Sequence, residues 1–300
     1  MMNEGVSIII CTYKRYDLLF CCLDSFTKQS SPLPVNIEWI IVDNANDNAT
    51  QKIVSEFQST MQNIRYVVEP NIGLSYARNR GVTEAKYNWV AYVDDDAKVH
   101  PDFVAQMYHV IHHYKFDVFG GVFYPWYRSP KPAWLPDDFG KLNMVRSSTG
   151  PLRYGQTVAG GIAAYKKDKL IEAGLFPVDI GMRGNIVGYG EEDFIIRKMW
   201  QNGCIVGFAP DWKMDHLVAE YKYSLKWHFK RSFAKGRDAQ TKAGSLNTLQ
   251  KLILIGKAVV IVPYLFLRNL AFFKKAGYYY QNYVLDSLRH SLKLFGKVSV

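Results

Sequence analysis

The stretch "NWVAYVDDDAKVHPD" (residues 88–102) decides how this chain is read. Trp89 to Val93 is apolar and short, as a buried strand is. Asp94, Asp95 and Asp96 then follow with nothing between them. Adjacent carboxylates repel, so either some keep their protons or a cation stands among them. One reading is a solvated acidic turn at a strand end. The other is a divalent cation site. Hard oxygen ligands suit Mg²⁺ or Mn²⁺, which are often held by one or two carboxylates together with substrate phosphates. The sequence has no Walker-type or GxGxxG loop, so recognition of a phosphate would run through such an ion.

Outward from this stretch, strand and helix patterns alternate. "VSIII" (6–10), "IEWIIVD" (37–43) and "IRYVV" (64–68) read as buried strands. Leu18, Leu19, Cys22, Leu23 and Phe26 recur at helical spacing, residues 73–85 read as a helix, and Pro101 opens another over 101–114. This order predicts an α/β fold whose parallel sheet is covered on both faces. Ligands of such sheets bind beyond the carboxyl ends of the strands, where Thr12, Asp43 and the Asp triplet fall. Residues 120–160 read as loop, with four prolines in "GGVFYPWYRSPKPAWLPDDFG". Residues 157–216 return to a strand–helix and a helix segment.

Composition narrows the class. With 48% hydrophobic and 21% charged residues, a chain of 300 residues folds rather than staying disordered. Cys11, Cys21, Cys22 and Cys204 form no CxxC pair, which gives no support to zinc or redox chemistry and points to a reducing compartment. "MMNEGVSIIICTYKR" lacks a basic segment before its apolar run and is not expected to be a signal peptide. Residues 1–216 hold 22 Lys+Arg against 24 Asp+Glu, whereas residues 217–300 hold 15 against 3. The basic excess therefore lies in the tail and calls for an anionic partner, membrane surface or nucleic acid. "LKWHFKRSFAKGR" (225–237) mixes basic and aromatic residues, which suits nucleic acid. The apolar block "LILIGKAVVIVPYLFL" (252–267) favours a membrane instead, and no nucleic acid is expected. Lys257 and Pro263 interrupt that block, leaving no uncharged run of the ~18 residues a spanning helix needs. A helix in the membrane interface is expected, a core helix being the other reading.

Five blocks, "VSIIICTYKR", "WIIVDNANDNAT", "NIGLSYARNRGV", "WVAYVDDDAKV" and "GYGEEDFIIRKMW", stand in the order and spacing of the inverting family 2 glycosyltransferases. Over residues 5–220 the chain resembles that family, of the bacterial polysaccharide and glycolipid type. The resemblance implies a GT-A fold with a Rossmann-like mixed sheet over 1–217 and a basic, amphipathic helical region over 218–300. It implies transfer of a sugar, with inversion, from a nucleotide-diphosphate sugar to a glycan or polyprenyl-linked lipid acceptor. Mn²⁺ or Mg²⁺ would assist, at the cytoplasmic face of the inner membrane, with peripheral or monotopic attachment.

Roles follow by position in the resemblance. Thr12, Tyr13 and Asp43 would meet the nucleotide's base, Arg78 would help hold the nucleotide, and Asp94 would meet the ribose. Asp95 stands between it and Asp96, which with His216 would hold the metal as a DxD motif does. An acidic segment at Glu191, Glu192 and Asp193 would supply the general base. Counting from Gly190 favours Glu191 or Glu192, while the family's ED pair favours Asp193, taken first here with Glu192 second. Without the resemblance these acids read as a first helical turn suited to the helix dipole. Trp126 and Trp134 are expected either to stack on a sugar or to fill the core. Gly160 and Gly161 are expected to allow close backbone approach to the acceptor or to make a tight turn. Nucleotidyl transfer, the other enzymatic reading, lacks a glycine-rich phosphate loop followed by lysine.

Overall fold

A computed structural model of the chain describes residues 3–30, 36–142, 144–182 and 190–300. Gly188 and Tyr189 of the "GYGEED" block lie outside them. Among the described residues, chain order runs β1 (Asn3–Thr12), α1 (Tyr16–Thr27), β2 (Ile37–Asp43), α2 (Asn48–Phe57), β3 (Ile64–Val68) and α3 (Leu74–Glu84). It continues with β4 (Tyr87–Val93), β5 (Ala97–Val99), α4 (Phe103–His113), β6 (Val118–Trp126), β7 (Gly150–Pro151) and β8 (Ile162–Lys166). Then come α5 (Lys167–Glu172), α6 (Glu191–Gln201), β9 (Val206–Leu217), α7 (Leu225–Ala243), α8 (Thr248–Leu270) and α9 (Tyr280–Val298).

The strands make one sheet in the order β3-β2-β1-β4-β8-β6-β9-β5, with β7 beside β9. Alternate residues of each central strand serve opposite cores. Ile8 and Ile10 join Trp39, Ile41, Trp89 and Ala91 on one face, while Ile9 joins Ile40, Val42, Val90 and Tyr92 on the other. Both faces are thus apolar, which is why these strands read as continuous hydrophobic runs.

The sheet is parallel only where helices separate its strands. β1, β2, β3 and β4 run together, but β8 is antiparallel to β4 and β6, and β5 is antiparallel to β9. The parallel part expected from the βα alternation is β1 to β4, and the whole sheet is mixed, as the resemblance implied. Three residues separate β4 from β5, far fewer than the dozen or so of a parallel crossover. A correction concerns residues 120–126, read as part of a loop-rich stretch with four prolines. They belong to β6. Pro125 is tolerated because β8 pairs only with Val118–Gly120, leaving that side of the strand open at Pro125.

A second compact unit comprises Tyr127–Phe139 and Val218–Val300. In it α9 packs against both α7 and α8. The contact with α7 is backbone to backbone: a Cβ on Gly236 would lie 1.9 Å from the Lys293 carbonyl oxygen, and one on Gly296 would lie 2.0 Å from that of Phe233. Toward α8, Ser291 Oγ donates to the Ala258 carbonyl at 2.8 Å and Asn269 donates to Ser287 at 3.1 Å. Ala258, Leu265 and Asn269 are the buried stripe of α8. The helix runs unbroken for 23 residues through Pro263, so neither Pro263 nor Lys257 divides it. Trp134 is packed within this unit, edge-on to His228, and its carbonyl accepts from Asn282 at 2.8 Å. It fills space rather than offering an open face to a sugar.

Candidate functional site

The carboxyl ends of β1 and β4 are neighbours, so Thr12 meets the triplet that follows Val93. Thr12 Oγ1 donates to Asp95 Oδ2 at 2.8 Å. Arg15 Nη1 lies 3.0 Å from Asp95 Oδ1 and 3.0 Å from Asp96 Oδ2. His216 arrives from β9, which pairs with β5 so that His216 stands opposite Ala97. Its Nε2 is 3.2 Å from Asp94 Oδ2 and 3.2 Å from Asp96 Oδ1, with the Phe123 ring against the imidazole. The second of these contacts is not aligned as a hydrogen bond, and Asp96 Oδ1 is a buried acceptor that receives none. The triplet therefore faces a guanidinium and an imidazole, and Asp96 Oδ1 keeps an acceptor in reserve.

Charge placement separates Asp94 from Asp95. Burial alone would raise Asp94, but the hydrogen bond and charge of His216, helped by Arg78 and Arg15, bring it down to about 2. Burial pushes Asp95 up to about 7 against the charge of Arg15, and the neighbouring Asp96 adds to the rise. One ligand atom each from Asp94, Asp96 and His216 lie within 4.8 Å of one another, so this group could hold a metal ion. Two carboxylates with an imidazole suit a hard or borderline divalent cation, and the Asp96 oxygen that receives no hydrogen bond fits a cation as its partner.

The second acidic group begins α6. Arg78, in α3, is buried between the rings of Tyr92 and Phe176, and its Nη1 lies 2.9 Å from Glu191 Oε1. Sequence reasoning expected Arg78 at the nucleotide and Glu191 as a candidate base. Here Arg78 Nη1 and Glu191 Oε1 meet, both residues being only 4% exposed, and Glu191 Oε2 is buried without a hydrogen bond. Glu192 stands beside that pair. Its Oε2 is buried without a hydrogen bond, and burial, then repulsion from Glu191, pushes its carboxyl up to about 7. Asp193, one position on, is half-buried.

Gly160 and Gly161 link the two acidic groups. A Cβ on Gly161 would lie 2.0 Å from Asp94 Oδ2, and one on Gly160 would lie 3.0 Å from Arg78 Nη2 and 3.1 Å from Glu192 Cβ. The close approach at these glycines is thus made by side chains of the site. Trp126 donates from Nε1 to the Asp96 carbonyl at 3.3 Å, with the Lys98 ammonium 3.9 Å from its ring centroid.

Two expected residues are placed differently from one another. Tyr13 is exposed beside Thr12. Asp43 is wholly buried: Oδ1 accepts from the Ala45 amide at 2.8 Å, and Oδ2 accepts from the Asp47 amide at 2.7 Å and the Tyr66 hydroxyl at 2.8 Å. It braces the loop after β2. Arg15, by contrast, was given no role by sequence reasoning. The available signal was a guanidinium three residues past a strand end that faces an acidic cluster.

Residues 7–172 match the family described as glycosyl transferase family 2. The chain belongs to this family. As a family 2 glycosyltransferase it is 26% identical over 238 residues to the glucosyl-dolichyl phosphate glucuronosyltransferase of Haloferax volcanii, covering 77% of this chain and 75% of that protein. It is 25% identical over 241 residues to the succinoglycan biosynthesis protein ExoM of Rhizobium meliloti, covering 79% and 75%. Among solved structures, the mannosyltransferase PcManGT from Pyrobaculum calidifontis, in complex with GDP-Man and Mn²⁺, superposes with a TM-score of 0.65 at 17% identity, covering 97% of this chain and 86% of that one. TarS 1-349 of S. aureus with UDP-GlcNAc superposes with a TM-score of 0.58 at 14% identity, covering 94% and 90%. The mixed sheet is that of the GT-A glycosyltransferases, and these likenesses lend no support to a nucleic-acid-binding function.

Proposed function

We propose that this glycosyltransferase moves a sugar, with inversion, from a nucleoside-diphosphate sugar to a hydroxyl of a glycan or polyprenyl-linked acceptor. The observation that carries this reading is the disposition of the acids about Gly160–Gly161. Asp94, with Asp96 and His216 behind it, lies on one side, and Glu192 lies on the other. A donor's diphosphate belongs with the first group and an acceptor hydroxyl with the second. Asp96 and His216, with Asp94, are the residues that would hold Mn²⁺ or Mg²⁺, and such an ion stabilises the charge that grows on a diphosphate leaving group. Tyr13 offers an exposed ring beside the nucleotide's path, and Thr12 holds Asp95 in place. The bond from acceptor oxygen to anomeric carbon forms as the bond from that carbon to the diphosphate breaks. The hydroxyl proton goes to Glu192, which a pKa near 7 suits to general-base work at neutral pH. This moves the base assignment from Asp193 to Glu192. The complexes of PcManGT with GDP-Man and of TarS with UDP-GlcNAc support a nucleotide-sugar donor, and the dolichyl phosphate in the Haloferax relative's name supports a lipid-linked acceptor.

The proposal includes a membrane surface as partner. α8 is, among the described residues, the one helix long and apolar enough to cross a membrane, and only 11% of its apolar window is buried, which does not suit a core helix. Leu249, Leu252, Val260 and Leu267 are exposed along its outer side, while α9 covers the other. Lys257 and Arg268 with the following Lys274 and Lys275 fit a helix lying in the interface of an anionic, cytoplasmic leaflet. The test of function is a screen of UDP-, GDP- and dTDP-sugars with Mn²⁺ and a lipid-linked acceptor, reading the anomeric configuration of the product by NMR. Retention of configuration, or no turnover with any donor, rejects the reading.

A further inference from the structure

Arg15 reaches the Asp triplet in an unusual way. Guanidinium groups commonly grip one carboxylate with two parallel N–H donors. Here the single nitrogen Nη1 is shared between two acids, at 3.0 Å from Asp95 and 3.0 Å from Asp96. The side chain is 42% exposed, whereas those of Asp95 and Asp96 are 6% and 8% exposed, so Arg15 sits on the solvent side of the pair. Its backbone is set by the turn before it. Lys14 has φ of +54°, a left-handed value that a non-glycine residue adopts only under constraint, and the Arg15 carbonyl accepts from the Leu19 amide at 2.9 Å as α1 begins. The backbone is anchored, then, and the guanidinium is held from one nitrogen with open solvent behind it.

We propose that Arg15 is an internal counter-cation that couples metal binding to nucleotide binding. The inference rests on the reading of Asp96 and His216 as metal ligands. Before the donor arrives, Arg15 neutralises Asp95 and Asp96. A divalent cation entering alone must displace this charge from Asp96 and meet its repulsion. A cation entering with a nucleoside diphosphate supplies an anion onto which the displaced guanidinium turns. Each ligand therefore raises the affinity of the other, by the same factor in both directions. Arg15 is a positioning residue in this scheme, since it acts through Asp96 and the diphosphate.

The experiment is an EPR titration of free Mn²⁺ against the full chain, alone and with saturating UDP or GDP. Wild type is compared with Arg15→Ala, Arg15→Lys and Asp96→Asn. In wild type one of the two nucleotides is expected to tighten Mn²⁺ binding within the roughly 5–150-fold span of such couplings. Arg15→Ala is expected to bind Mn²⁺ alone about tenfold more tightly and to lose most of the tightening by nucleotide, with Arg15→Lys retaining part of it. If Arg15→Ala matches wild type in both measurements while Asp96→Asn loses Mn²⁺, the metal site stands and the role of Arg15 is rejected. The role is likewise rejected if neither nucleotide tightens Mn²⁺ binding to wild type. If Asp96→Asn binds Mn²⁺ as wild type does, the metal reading itself fails and this inference with it.

Discussion

Glu192 and Asp193 are adjacent in the chain, and their surroundings differ. Both are half-buried, but Glu192 stands against Gly160 with its Oε2 buried and without a hydrogen bond. Glu192→Gln is expected to lower kcat by about 10²–10⁴-fold, the usual worth of a general base, while leaving donor affinity unchanged. Asp193→Asn should keep most of the activity, and the reverse ranking in steady-state kinetics moves the base back to Asp193. The pH profile carries a sign. A base must be ionised to accept a proton, and Glu192 is pushed up to about 7, so kcat/KM should fall as pH drops through about 7. A profile flat from pH 5 to 8 contradicts the assignment. At the other acidic group, Asp96→Ala is expected to abolish Mn²⁺-dependent nucleotide binding while the thermal transition remains, since Asp96 lies at the site rather than in the apolar core. Full turnover after EDTA treatment is the outcome that removes the metal from the scheme.

At the scale of elements, α6 is tied to α3 by one buried ion pair, Arg78 with Glu191. Breaking such a pair leaves an uncompensated charge inside the protein, at a cost of about 3–5 kcal/mol. Glu191→Gln should therefore destabilise the fold strongly in urea, and the double change Arg78→Met with Glu191→Met should recover much of the loss. A silent Glu191→Gln shows that the pair does not hold α6. The α7–α9 contact depends on Gly236 and Gly296, where backbone meets backbone. Gly296→Val is expected to cost at least about 1–3 kcal/mol through overpacking, read as a lower melting temperature. These elements differ in how legible they were. β2 and β3 were read at their observed bounds because every second residue meets a different apolar core. β6 was hidden by Pro125, whose tolerance depends on which strands lie beside it.

For the whole molecule, the uneven charge and the exposed apolar side of α8 make one joint prediction. The full chain should sediment with anionic liposomes at low salt and partly release at high salt, since each basic residue near such a surface contributes roughly 1 kcal/mol that salt screens. Replacing Leu252, Val260 and Leu267 by Glu should abolish sedimentation, because those side chains are exposed on α8. A chain that stays in the supernatant with anionic liposomes at low salt contradicts the membrane proposal.

The sequence by itself determined the α/β class, the strands β1 to β4, the family and the position of the acids at strand ends. These are local matters: apolar runs, their period of two or 3.6, and short blocks in a fixed order. Only the tertiary structure decided which charges meet. Arg78 and Glu191 are separated by 113 residues yet form one buried pair. Arg15 is 80 and 81 residues from Asp95 and Asp96, yet bridges both. Asp43 accepts from amides of the loop that follows it and from the hydroxyl of Tyr66 in β3. Whether a carboxylate is free for chemistry depends on its burial and on the donors the fold brings to it. Neither is written in the residue's type or in its neighbours along the chain.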